Sequence, residues 1–341
     1  MSARPRIAVF SMGGTIASTR GADGAAFPRL TAEQLVAAVP RLAEVADIET
    51  VRFRQVASSD LTVADVIALA ERLGGAVADG ITGAVVTQGT NTLEETSFVL
   101  DLLWDREEAV ALTGAMRHPD LPGADGPANL LAASVVASSP LARGLGCLVV
   151  FNDEVHLPLF VHKSHTSNPA TFRSAQTGPI GWISEGRLRI ALRPVVRHHI
   201  AIRGALDAVP PVALVKMTLG DDGRLLTAIE SFGYRGLVVE ATGGGHVPRT
   251  TAEILGALTQ KMPVVLTSRT GAGEVLHNTY GFVGSETDLL KRGLIHAGIL
   301  DGLKARLLLT LLLIAGADNR TIVEAFAAVG IPGSRPAFRL T

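Results

Sequence analysis

The chain has 341 residues, with 31 Lys and Arg against 32 Asp and Glu and a net charge of −1 at pH 7. That balance excludes the basic field on which nucleic-acid and anionic-membrane binding depend, and a composition 47% hydrophobic and only 18% charged excludes a disordered chain. The length exceeds the size at which one hydrophobic core usually keeps growing, so two domains are expected.

In chain order, Arg6–Phe10 reads as a first strand leading into Ser11-Met12-Gly13-Gly14-Thr15-Ile16, where paired glycines permit a sharp turn and close approach to a ligand. Gly21–Gly24 reads as a mobile loop. A helix starts at Thr31, carries Leu35, Val36 and Val39 on its apolar side and stops at Pro40. Ile48–Phe53 is a second strand, and the polar turn Ala57–Thr62 precedes a helix carrying Val63, Val66, Ile67, Leu69 and Leu73. The apolar run Ala84–Val86 feeds Thr87-Gln88-Gly89-Thr90-Asn91-Thr92, followed by a helix with Leu93, Phe98, Val99, Leu100, Leu102, Leu103 and Trp104 as its apolar positions. Asn91 or Thr92 is the expected cap, and Glu94 and Glu95 suit the positive end of the helix dipole.

Ala109–Thr113 is the next strand; the proline-rich loop His118–Pro127 leads to a helix over Ala128–Ala137, and Gly146–Phe151 is a further strand. Its Cys147, the single cysteine, is expected to be a buried strand residue. This alternation predicts a mostly parallel sheet with helices on both faces, and places polar loops after strands at Thr15, Ser58, Thr90 and Arg117. Glu154–Ile200 reads as a β-hairpin region. The expected organisation is an N-terminal domain over 1–197, a linker over 198–211 ending in Pro210-Pro211, and a smaller α/β domain over 212–341. That domain has strands Val212–Val215, Gly236–Ala241 and Pro263–Thr267, and helices near Leu225–Phe232, Thr251–Leu258, Asp288–Lys291, Gly302–Leu313 and Thr321–Ala328. Met1–Pro5 lacks the layout of a signal peptide, and the apolar run Leu307–Ala317 is too short to span a bilayer, so a cytoplasmic protein without membrane contact is expected.

Thr15 and Thr90, both in glycine turns, are the first candidates for chemistry. A threonine hydroxyl needs a neighbouring base to become nucleophilic. No histidine accompanies either loop, whereas Lys163, in Val161-His162-Lys163-Ser164-His165-Thr166, qualifies if its pKa is lowered. The pairs His162/His165 and His198/His199 do not have metal-site spacing. Met12-Gly13-Gly14-Thr15 is neither a phosphate loop nor a dinucleotide fingerprint, and Gly243-Gly244-Gly245 has no following lysine. No cofactor and no metal is expected.

These residues resemble the bacterial-type L-asparaginase/glutaminase family over nearly the whole chain. Gly13-Gly14-Thr15-Ile16-Ala17 is similar to its first signature and Gly89-Thr90-Asn91-Thr92-Leu93-Glu94-Glu95-Thr96 to its second. Ala57-Ser58-Ser59-Asp60, Gly114-Ala115-Met116-Arg117, Ala124–Leu130 and Val161-His162-Lys163 fall in collinear blocks. The resemblance implies an asparaginase-like α/β fold with a larger parallel-sheet domain and a smaller C-terminal one. It implies an amidohydrolase in which Thr15 forms an acyl-enzyme, typically converting L-asparagine to L-aspartate and ammonia, with Thr90 and Lys163 assisting proton transfer. Ser58, Ser59, Gly89 and Asn91 are the implied substrate contacts. His246 and Glu274 are implied to reach across a subunit interface of a homodimer or homotetramer whose ligand is a small amide.

The chain departs from the family pattern at several places. Asn91 stands where the family carries the aspartate that accepts the substrate's α-ammonium, and Gln88 stands for a common histidine. The family's mobile-loop tyrosine has no counterpart: the tyrosines are Tyr234 and Tyr280, and Phe27 is the nearest aromatic. The departures leave two other readings beside an asparaginase: a hydrolase of an amide without a free α-ammonium, and an inactive homologue that binds a small molecule.

Overall fold

In the computed structural model the chain divides into two compact units, Met1–Pro194 and Val195–Thr341. The structure describes residues 4–20, 26–28, 30–204, 206, 208–333 and 335–341, so the loop read at Gly21–Gly24 lies outside the described residues.

An eight-stranded sheet forms the first unit. Its strands are β1 (Arg6–Gly13), β2 (Asp47–Val56), β3 (Gly83–Thr87), β4 (Ala109–Thr113), β5 (Cys147–Phe151), β6 (Glu154–His156), β7 (Gly181–Ser184) and β8 (Arg187–Ile190), arranged β8-β7-β6-β5-β4-β3-β1-β2. Strands β1 to β5 pair in parallel, and β6 to β8 add an antiparallel end. Every residue of β3, β4 and β5 is buried, as expected for parallel strands covered on both faces, and Cys147 is buried with them.

The helices α1 (Val63–Ala78), α2 (Leu93–Leu103) and α3 (Gly126–Ser138) follow β2, β3 and β4. α1 starts where Thr62 and Asp65 form a reciprocal capping box. Strand order reverses at β1, which the chain leaves for β2 on one side before returning to β3 on the other. Loops diverge at such a point and open a crevice at the carboxyl ends of the strands.

The second unit has a parallel sheet in the order β9 (Val212–Lys216), β10 (Gly236–Ala241), β11 (Val264–Ser268), β12 (Ile295–His296). Arg249–Leu258, Gly302–Ile314 and Asn319–Val329 are its longer helices. The helix read near Leu225–Phe232 covers only Arg224–Ala228, after which the chain continues in turns to Gly233, at φ 76°. Within the stretch 198–211, His199–Ile200 forms a strand pairing in parallel with Arg339–Leu340. Among the described residues, no helix is long and apolar enough to cross a membrane.

Candidate active site

Sheet register brings three loops to one place. Ser11 of β1 pairs with Thr87 of β3, and Gly13 pairs with Val56 of β2, so the residues that follow leave the sheet along a single edge. Gly13 and Gly14 adopt φ of +99° and +87°, which side-chain-bearing residues rarely reach. A Cβ on Gly14 would lie 2.2 Å from the Gly89 nitrogen, and one on Gly89 would lie 2.7 Å from Ser58 Oγ. The backbone before Thr15 therefore packs directly on the backbone before Thr90, with the Ser58 hydroxyl against it.

Thr15 opens a 3₁₀ turn, Thr15–Ala17, and is partly exposed. Thr90 and Ser58 are buried, whereas Asn91 and Ser59 are exposed. The fourth polar loop joins from β4: Asp125 accepts the N–H groups of Met116 and Arg117, and a Cβ on Gly126 would lie 3.0 Å from Ile16 Cγ1. The Arg117 guanidinium itself turns back to its own loop, donating to the Gly123 carbonyl at 3.0 Å.

Lys163 enters from the two-stranded ribbon His162–Lys163 and Phe172–Arg173, in which Lys163 pairs with Phe172. Phe172 is buried and packs against Phe151 of β5 at 4.7 Å between ring centroids, which anchors the ribbon. Lys163 Nζ lies 2.8 Å from Thr90 Oγ1 and donates to Asn91 Oδ1 at 3.1 Å. Burial lowers the Lys163 pKa from its ordinary value, against the opposing pull of the Glu94 charge. The ammonium thereby moves towards the range in which an amine can take a proton from a hydroxyl.

The start of α2 differs from the sequence reading. Thr92 occupies the cap position but makes no capping hydrogen bond, and Asn91 makes none either because its oxygen serves Lys163. The Thr92 hydroxyl instead donates to the Ser58 carbonyl at 2.8 Å. Nor is Glu94 merely a surface charge at the helix dipole: it is 8% exposed, and its Oε2 accepts the backbone N–H of Lys163. The signal for a buried Glu94 lies in the spacing of Leu93, Glu94, Ser97 and Phe98, which fall on one helix face. The side-chain amide of Gln88, the residue that stands for a common histidine of the family, is buried and donates to Thr92 and Thr96.

His246 and Glu274 belong to the second unit, in loops after β10 and β11 at the carboxyl ends of parallel strands. The Leu276 N–H donates to the Gly244 carbonyl at 2.8 Å, which ties the two loops together. His246 Nε2 lies 3.1 Å from Oε2 of Glu286, a fully buried carboxylate whose other oxygen accepts the N–H groups of Thr279 and Tyr280. Glu274 is exposed. Among the described residues, no group of three or more His, Cys, Asp or Glu is placed to hold a metal ion.

Comparison with known proteins agrees with this architecture. Residues 6–196 match the family model described as Asparaginase, N-terminal, and residues 211–326 match the Glutaminase/Asparaginase C-terminal domain. The chain is 34% identical over 310 residues to an L-asparaginase of Bacillus licheniformis, covering 90% of this chain and 95% of that one. It is 38% identical over 335 residues to a probable L-asparaginase of Deinococcus radiodurans, covering 94% and 97%. A crystal structure described as a probable cytoplasmic L-asparaginase from Campylobacter jejuni superposes with a TM-score of 0.85 at 31% identity, covering 95% of this chain and 99% of that one. With both domain models matched in order over most of its length, the chain belongs to the asparaginase/glutaminase family.

Proposed function

We propose that the protein is an amidohydrolase of the L-asparaginase type, with hydrolysis of L-asparagine to L-aspartate and ammonia as its reference reaction. The observation that carries this reading is Lys163 Nζ at 2.8 Å from Thr90 Oγ1, next to the glycine turn that carries Thr15. Thr15 Oγ attacks the amide carbonyl and its proton passes to the leaving nitrogen through Thr90 and Lys163. The C–N bond breaks and ammonia departs. Water, activated by the same groups, then attacks the acyl ester, releasing the acid and regenerating the Thr15 hydroxyl. Backbone N–H groups of the Thr90 loop are the donors for the oxyanion in both steps. Ser58, Ser59, Gly89 and Asn91 line the substrate.

In the same proposal the second unit of one subunit supplies His246 and Glu274 to the Thr15 site of another, in a homo-oligomer. The position of both residues in loops beyond parallel strands supports this reading. We also place the enzyme in the cytoplasm, as the similar Campylobacter jejuni protein is described; cell fractionation tests that assignment.

Ammonia release from L-asparagine tests the reaction. The wild type is expected to release ammonia and Thr15→Ala to lose roughly a thousandfold or more of kcat. Unchanged turnover in Thr15→Ala contradicts the proposal. Mixing Thr15→Ala with Glu274→Ala tests the shared site, because hybrid oligomers should regain activity that neither variant shows alone.

A further inference from the structure

Resting on the amide-hydrolase reading above, we infer that Asn91 tunes this site towards carboxamides that offer residue 91 a hydrogen-bond acceptor, a hydroxyl or keto oxygen, in place of an ammonium group. Lys163 holds the Asn91 side chain by its amide oxygen. A protonated lysine only donates; a neutral one has a single lone pair, which the Thr90 hydroxyl can occupy, and still has N–H groups to spare. In both states Lys163 donates to Asn91, so the Asn91 oxygen must face it, as it does at 3.1 Å.

The consequence is on the other side of the amide. With Oδ1 turned to Lys163, the Nδ2 donors face away from it, and among the described residues they have no protein acceptor. Asn91 is exposed and directly follows Thr90, so this free edge lies open to whatever binds beside Thr90. The carboxylate of the group, Glu94, is buried and engaged with the Lys163 backbone N–H. A substrate ammonium placed against residue 91 therefore meets N–H donors and the Lys163 nitrogen. A hydroxyl or keto oxygen placed there accepts from Nδ2. An aspartate would behave in the opposite way, because one carboxylate oxygen can serve Lys163 while the second stays outward as a charged acceptor. The change from carboxylate to amide inverts the outward-facing group.

The test compares two substrates within each variant. L-asparagine and 2-hydroxysuccinamate share the carboxamide and the chain, and differ in carrying an ammonium or a hydroxyl. Their kcat/KM ratio is measured in the wild type and in Asn91→Asp. Any effect of the substitution on Lys163 or on the chemical step acts on both substrates and cancels in the ratio. The expected result is a shift of about tenfold or more towards L-asparagine in Asn91→Asp. A shift below about twofold overturns the inference.

A second arm measures binding of the same two amides by calorimetry in Thr15→Ala and in Thr15→Ala/Asn91→Asp, with a matching shift in the Kd ratio expected and an unchanged ratio overturning the inference. If the wild type turns over neither amide, the hydrolase reading fails on its own, while the binding ratio still decides the role of residue 91.

Discussion

The hydroxyl of Thr92 donates to the backbone carbonyl of Ser58 at 2.8 Å, so the loop after β3 holds the loop after β2 in place. The same oxygen accepts from Gln88 Nε2 at 3.2 Å, which commits its one proton to Ser58. In the proposed function Ser58 contacts the substrate and Thr92 acts only through it, so Thr92→Val is expected to raise KM by roughly three- to tenfold with kcat little changed. Thr92→Ser should restore KM. A loss confined to kcat would contradict this role.

The proposed role of Lys163 predicts a pH dependence on which Glu94 acts. The Lys163 amine accepts a proton only when neutral, so kcat/KM should rise with pH through the lysine pKa. Burial moves that pKa down and the Glu94 charge moves it up. Removing the charge in Glu94→Gln is therefore expected to lower it further and displace the rising limb to lower pH. A kcat/KM profile whose limb stays in place, or moves to higher pH, contradicts the assignment.

Gly14→Ala tests the close approach of the two threonine loops. The added methyl would fall 2.2 Å from the Gly89 nitrogen at a φ of +87°, so the loops must separate. Displacements of about 1 Å in a catalytic constellation cost on the order of a hundredfold in rate. Gly178→Ala is the control: φ there is +71°, with nothing within 4 Å, so it carries backbone strain without a collision. Activity lost equally in both variants would mean that strain alone explains the result.

His156 makes stability depend on pH. Its ring is 1% exposed and burial pushes its pKa down to about 4 from 6.5. Glu154 Oε2, although 3.3 Å from Nε2, makes no hydrogen bond to it. The unfolded chain binds a proton at His156 from pH 6.5 downwards and the folded chain only near pH 4, so stability falls as pH drops through that window. The full contribution is about 3 kcal/mol. Denaturant midpoints at pH 7 and pH 5 should differ less in His156→Gln than in the wild type, and an unchanged difference contradicts the claim.

Much of this was legible in the sequence because the signals are local. Ala109–Thr113 and Gly236–Ala241 occupy the spans read for them, since each is a short apolar run ending at a glycine or polar turn. The threonine turns were legible for the same reason. Partnership across the fold was not: Lys163 meets Thr90 from 73 residues away, through a ribbon only two residues wide on each side. Thr92 read as a cap because its type favours capping, and only the packed β2 loop shows that its hydroxyl has another acceptor. The strand His199–Ile200 is too short to have a periodicity, and its partner lies at the far end of the chain.

In the proposed mechanism Thr15 carries the acyl group. Rapid acid quench of the enzyme during turnover of L-asparagine, followed by peptide mass spectrometry, tests it most directly. An acyl adduct is expected on the peptide that contains Thr15 and is expected to be absent in Thr15→Ala. An adduct on Thr90 instead, or one that persists in Thr15→Ala, would contradict it.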